Sequence, residues 1–119
     1  MAIARRREYV HVVDYPPSLT EIENTHGFIR IDATVPTSEE INHVALPPDM
    51  RIGRKLATVP FGQEPTAADY HIIDSVGRSK FTISFTPAEV GMDGYLVCYY
   101  FNHRGDHGPD SAPLKFRIL

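Results

Sequence analysis

The 119-residue chain is long enough for one domain, and its 42% hydrophobic and 23% charged residues are the proportions of a globular protein. A formal net charge of −3 argues against nucleic-acid binding, which needs a basic face to neutralise phosphates. The lone Cys98 excludes an intrachain disulfide, and no apolar run approaches the roughly 20 residues that span a bilayer or resembles a secretory signal. We therefore expect one soluble domain, synthesised in the cytoplasm, with no membrane partner.

The first segment of the chain is polar and basic. Residues 1–8 contain Arg5, Arg6 and Arg7, the one basic cluster in the sequence. A segment with so little apolar surface gains little by folding onto its own domain, so we expect a mobile arm over 1–8 and a domain over 9–119. The three arginines are candidate contacts to a neighbouring subunit.

Two segments alternate apolar and polar side chains, the pattern of a half-buried strand. They are residues 28–35 and residues 79–85. In the second segment the alternation assigns Phe81, Ile83 and Phe85 to the core. Both segments end at or just before a proline, which cannot donate a hydrogen bond to a sheet.

The other predicted strands are less regular. The run 95–101 is apolar on both faces, which is typical of a central strand. Strands are also predicted over 9–13, 51–59 and 114–118, whereas 67–73 fits either a strand or a helical turn. Runs separated by about 8–15 residues, with no helical repeat, predict an antiparallel β-sandwich of about seven strands.

The segment Gly91–Cys98 resembles the beginning of strand F in fibronectin type III and immunoglobulin-like domains. In those domains a tyrosine locks the turn between strands E and F. The resemblance assigns that role to Tyr95, with its ring against the core and its hydroxyl bonded to a carbonyl of the turn.

The next segment, Tyr100–Ser111, resembles the hairpin between strands F and G of small fibronectin type III-like domains, common among uncharacterised Bacteroidetes proteins, which read roughly W-x-N-x-R-G-E-x-G-P-W-S. Tyr100 and Asp110 stand where tryptophans are usual, and Asp106 replaces a glutamate. The matching residues are Asn102, Arg104, Gly105, Gly108, Pro109 and Ser111.

The hairpin also has a local physical interpretation. Asn102 can bond the backbone of its own turn, Gly105 and Gly108 can adopt positive φ, and Pro109 can fix the exit of the loop. These residue types predict a turn whether or not the loop binds anything.

Arg104, Gly105 and Asp106 form the tripeptide that integrins read on the corresponding loop of one fibronectin type III domain. An exposed cation and carboxylate around a glycine can bridge a receptor's acidic pocket and its bound metal. The alternative is that Gly105 is required by the backbone conformation of the turn and that Asp106 merely replaces the glutamate of the family pattern. Cell adhesion is therefore a second hypothesis.

No catalytic set is recognisable in the sequence. There is no G-x-S-x-G or glycine-rich nucleotide loop, and Cys98 in a central strand is expected to be inert. His103 and His107, with Asp106 and Asp110, could in principle bind a metal ion, but a flexible hairpin rarely holds its ligands in a fixed geometry. We expect no enzyme activity, no metal and no cofactor.

A non-catalytic sandwich must act by binding. We expect a structural or protein-interaction module that uses its loops, edge strands and N-terminal arm to bind a protein partner or copies of itself. A virion decoration or accessory subunit fits this description, and so does a bacterial assembly component. The remaining alternative is a carbohydrate- or small-ligand-binding sandwich with Tyr70, Tyr99 and Tyr100 as an aromatic platform.

Overall fold

The structure, a computed structural model, describes residues 15–34 and 50–119, so the arm with Arg5, Arg6 and Arg7 and the strand predicted over 9–13 lie outside the described residues. Within these ranges the chain forms seven strands and no α-helix. The strands are β1 (Ser18–Thr25), β2 (Phe28–Thr34), β3 (Met50–Val59), β4 (His71–Val76), β5 (Lys80–Ser84), β6 (Asp93–Asn102) and β7 (Leu114–Arg117). The all-β prediction is confirmed.

Two antiparallel sheets face each other in a sandwich-like arrangement. One sheet has the strand order β1-β2-β5 and the other the order β4-β3-β6-β7. Strand β6 lies between β3 and β7, which agrees with the apolar character of both of its faces. Strands β4 and β5 lie at the edges of different sheets and are joined through residues 77–79.

The core lies between the sheets and draws on both. Strand β5 contributes Phe81 and Ile83, as its alternation predicts, while Phe85 is partly buried and packs on the ring of Phe116 at 5.7 Å. Burying one such side chain stabilises the fold by about 1.5–3 kcal/mol. The cluster comprises Ile29, Ile31, Ala33, Met50, Ile52, Leu56, Phe81, Ile83, Leu96, Cys98, Tyr100, Phe116 and Ile118.

Strand β1 was not predicted. Its sequence, SLTEIENT, is mostly polar, and its pairing with β2 shifts between Glu21 and Glu23, which breaks the period-2 pattern. As an edge strand it buries little of either face, so apolar alternation is not required. The ambiguous segment 67–73 contains both alternatives, because a 3₁₀ helix at Ala67–Asp69 leads into β4.

Strand β3 carries a charged side chain on its inner face. Arg54 is 7% exposed, and its Nε donates to the Asp74 carbonyl at 2.7 Å. Its guanidinium lies 4.8 Å from the centre of the Phe81 ring in the opposite sheet, and burial lowers the pKa of Arg54. The core therefore includes an arginine at a position where the sequence pattern would place an apolar residue.

Candidate interaction surfaces

The turn after β6 is organised by Asn102, whose side chain is buried. Its Oδ1 accepts hydrogen bonds from the backbone N–H groups of Arg104 and Asp106, both at 3.0 Å, and its Nδ2 donates to the Asp106 carboxylate at 3.1 Å. Gly105 has a φ of +86°, and its N–H donates to the Asn102 carbonyl at 2.9 Å. The roles predicted for Asn102 and Gly105 are confirmed.

The prediction of a positive φ at Gly108 is wrong. The chain has already reversed at Gly105, and by Gly108 it runs back along β6, with the Gly108 N–H donating to the Tyr100 carbonyl at 2.8 Å. Ser111 continues this pairing, since its N–H donates to the Cys98 carbonyl at 2.8 Å and its Oγ accepts from the Cys98 N–H at 3.0 Å. Pro109 lies exposed between these two anchored positions.

The charged ends of the Arg104-Gly105-Asp106 tripeptide contact each other. The Arg104 guanidinium lies 3.0 Å from the Asp106 carboxylate, and each side chain is about half exposed, at 47% and 50%. A receptor that bridges both groups would have to separate them, at a cost of up to about 1 kcal/mol for an exposed pair. The tripeptide therefore takes part in the structure of its own turn, and both of its charged side chains stay about half exposed.

Tyr99 is enclosed on the outer face of the four-stranded sheet. The His107 ring stacks on it with the centroids 3.9 Å apart, and the Lys55 ammonium lies 5.5 Å from the Tyr99 ring centre while bonding Asp110 at 2.6 Å. Beneath the ring is Gly53, where an added Cβ would come within 2.2 Å of a Tyr99 carbon. Two of the proposed metal ligands, His107 and Asp110, are thus engaged in packing and ion pairing.

Tyr99 and Tyr100, two of the three tyrosines considered as a carbohydrate platform, lie on opposite faces of β6. Tyr99 points to the outer face and is 8% exposed, whereas Tyr100 points into the core and is fully buried. Adjacent residues of a strand face opposite sides, so these two rings cannot present one surface. Neither ring has a face open to a sugar.

Tyr95 does not lock the turn between β5 and β6. It lies on the outer face, packed with Ala57, Val59 and Tyr70, and its hydroxyl donates to the Gln63 carbonyl at 3.3 Å. Gln63 belongs to the connection between β3 and β4, so the resemblance assigned the residue to the wrong turn.

Asp93 forms a buried anchor that was not identified from the sequence. It is 1% exposed and accepts hydrogen bonds from the Gly62 N–H at 3.0 Å and from the Arg117 Nε at 2.8 Å, which together hold its pKa below the usual range. Arg117 also lies 3.9 Å above the Phe61 ring. The one sign of this anchor in the sequence is the position of Asp93, an acidic residue directly at the start of an apolar strand.

The two sides of the sandwich differ in how their edges are covered. On one side β1 and β7 are linked, since the Asn24 Nδ2 donates to the Arg117 carbonyl at 2.8 Å and the Gly27 N–H donates to the Leu119 carbonyl at 3.1 Å. On the other side β4 pairs only with β3 among the described strands. Its Ile72 lies on the outer face and is 73% exposed.

No cluster of metal-binding side chains occurs in the part of the chain that the structure describes, and none of its helices could cross a membrane. Burial raises the pKa of the Cys98 thiol to about 12, so this thiol is a weak nucleophile. No protein-family model matches the chain, and no curated protein matches it in sequence. A function must therefore be inferred from these surfaces.

Proposed function

We propose that this chain is a non-catalytic module of the fibronectin type III/immunoglobulin-like kind whose function is to join protein surfaces, first those of its own copies. The partition of strands supports the fold assignment, since β1-β2-β5 and β3-β6-β7 correspond to the A-B-E and C-F-G sets of such domains. The reactive and metal-binding side chain types of the hairpin and of β6 support a non-catalytic role. The Cys98 thiol is buried, and His107 and Asp110 are held by neighbouring side chains.

The observation that carries the proposal is the outer edge of β4, which pairs with no other strand in the described part of the chain. An edge strand presents unpaired N–H and C=O groups, and soluble proteins commonly protect such edges with lysine or proline. The β4 sequence, HIIDSV, contains neither residue, and its pairing with β3 is regular over His71–Ile73 and shifts between Ile73 and Val76. In the regular part the exposed Ile72 adds an apolar contact beside backbone groups that no described strand pairs. Such an edge favours pairing with another strand.

A second copy of the chain fits this edge through a two-fold axis. In a symmetric antiparallel pair each strand lies against itself, and a register centred on Ile72 places the two Ile72 side chains opposite each other on one face. Their Cβ atoms would lie about 4.5–5.5 Å apart, the distance at which cross-strand apolar pairs stabilise a sheet. Self-association through paired β4 edges is compatible with a virion accessory subunit and with a bacterial assembly component.

Sedimentation velocity over a wide range of concentrations tests the proposal. The wild-type chain should associate reversibly, and Ile72→Lys should remain monomeric because two lysines would oppose each other across the pair. Val90→Lys is the matched control, since Val90 is also exposed, at 55%, and lies outside β4. The proposal would be refuted if the wild-type chain stays monomeric at all concentrations, or if both variants lose self-association equally.

A further inference from the structure

A second surface lies on the outer face of the three-stranded sheet, which does not contain β4. It is a depression of about 400 Å³, which we call the cationic depression. Its lining residues are Ile22, Arg30, Arg78, Ser79, Lys80, Phe81 and Thr82.

The depression is lined by three cations, of which only Arg30 forms an ion pair within the described part of the chain. Within the described part of the chain, the side chains of Arg78 and Lys80 form no ion pair, and Asp32, opposite Lys80 on the neighbouring strand, does not reach it. Arg30 lies 3.6 Å from Glu23, and both are about half exposed, so this contact is readily exchanged. On a chain with a net charge of −3, three cations around one depression indicate an anionic partner.

The spacing of the cations matches an extended peptide. Arg30 pairs directly with Thr82, and Lys80 lies two residues from Thr82 on the same face, so Arg30 and Lys80 are diagonal neighbours. Diagonal neighbours are about 7–8 Å apart in an antiparallel sheet. Alternate side chains of an extended peptide are about 6.8 Å apart, so two acidic residues at positions i and i+2 can reach both cations.

The depression also has an apolar component. Ile22 lies at the bulge of β1, where the register with β2 shifts, and it is 45% exposed beside the cations. A polyphosphate or a sulfated sugar gains nothing from an isoleucine, whereas a peptide can place an apolar side chain against it. The hydroxyls of Ser79 and Thr82 can donate to carboxylate oxygens.

We propose that the cationic depression binds an extended acidic segment of a protein partner. Alternate carboxylates of the segment contact Arg30 and Lys80, Arg78 contacts a flanking carboxylate, and an apolar side chain packs on Ile22. The surface lies on the outer face of the three-stranded sheet, whereas the proposed self-association uses β4 of the other sheet, and Arg78 belongs to the connection between the two sheets.

The test is fluorescence anisotropy with the labelled peptide Glu-Thr-Glu-Thr-Glu-Thr-Val, titrated with the full chain at low salt. When this peptide is extended, its glutamates and its valine lie on one face. The double variant Arg78→Gln/Lys80→Gln should raise the Kd about tenfold, since each lost ion pair at an exposed site is worth up to about 1 kcal/mol. The control Arg104→Gln/Lys115→Gln removes two exposed charges elsewhere and should change the Kd less than about twofold. Unchanged urea midpoints would show that all variants are folded.

Tripolyphosphate distinguishes a peptide site from general attraction of anions. Ile22→Ser should weaken the peptide by about threefold, from lost apolar contact, and leave tripolyphosphate binding unchanged. Equal losses in the depression and control variants would overturn the proposal. So would the absence of saturable peptide binding, or a Kd for the peptide that does not respond to Ile22→Ser.

Discussion

Gly53 on β3 permits the closest packing on the outer face of the four-stranded sheet, and replacing it with alanine tests how that face is built. A Cβ at this position would lie 2.2 and 2.3 Å from two carbons of the Tyr99 ring and 2.6 Å from its hydroxyl oxygen. Favourable contacts between non-bonded carbon atoms are about 3.5–4.0 Å, so the ring would have to move by more than about 1 Å. Tyr99 cannot move that far and keep its stack on His107 at 3.9 Å.

The expected cost follows from these contacts. Overpacking a close-packed site costs about 1–3 kcal/mol, and losing an aromatic stack costs a further 0.5–1.5 kcal/mol or so. Gly53→Ala should therefore lower the free energy of unfolding by about 2–4 kcal/mol. In a Tyr99→Ala background the obstacle is gone, and alanine should instead stabilise the strand by about 0.5–1 kcal/mol relative to glycine.

Urea denaturation of the four proteins in this double-mutant cycle measures both values. Gly77→Ala is the matched control, because the nearest atom to its added Cβ is a flexible Arg51 nitrogen at 3.4 Å, and it should stay within about 0.5 kcal/mol of wild type. If Gly53→Ala costs the same with and without the Tyr99 ring, the ring is not the obstacle and the packing described for this face is wrong.

Two further predictions concern the core and the buried carboxylate. Ile83→Ala should destabilise the fold by about 2–5 kcal/mol and Thr82→Ala by less than about 1 kcal/mol, and similar urea midpoints for the two variants would contradict the register of β5. Because Gly62 and Arg117 depress the pKa of Asp93, its stabilising effect is present above the ordinary carboxyl pKa of about 3.9 and is lost as pH falls through the lower folded value. Asp93→Asn should therefore melt lower at neutral pH and lose less stability between about pH 4 and pH 2, whereas parallel Tm profiles would contradict the anchor.

The strands predicted from the sequence are those whose pattern reflects burial directly. Phe81 and Ile83 alternate with exposed residues because β5 has one buried face, and this pattern is readable without knowledge of the rest of the fold. The run that became β6 is apolar throughout because both of its faces are covered. In these cases the local sequence and the tertiary environment impose the same requirement.

Other features depend on contacts that a local pattern does not contain. Arg54 faces inward because the Asp74 carbonyl and the Phe81 ring, from two other strands, accommodate its guanidinium. The strand predicted over 51–59 is present as β3, but the burial of this charged side chain was not predicted. The stack of Tyr99 on His107 requires the hairpin turn at Gly105 to return the chain to the same face. These contacts follow from the pairing of distant segments and could not be inferred from spacing.

Tyr95 shows how a shift of one residue changes the meaning of a motif. In immunoglobulin-like domains the tyrosine that locks the turn lies two residues before the cysteine of strand F, so both side chains point inward. Here the residue two before Cys98 is Leu96, and it is fully buried in the core, while Tyr95 points to the opposite face. Side chains alternate between the two faces of a strand, so an offset of one residue places Tyr95 on the face opposite to that of the tyrosine in those domains. The residue types of the motif match, but their positions relative to the cysteine do not. The turn before β6 is held instead by backbone contacts, in which the Met92 N–H donates to the Glu89 carbonyl at 3.1 Å and the Gly91 N–H to the Ile118 carbonyl at 2.7 Å.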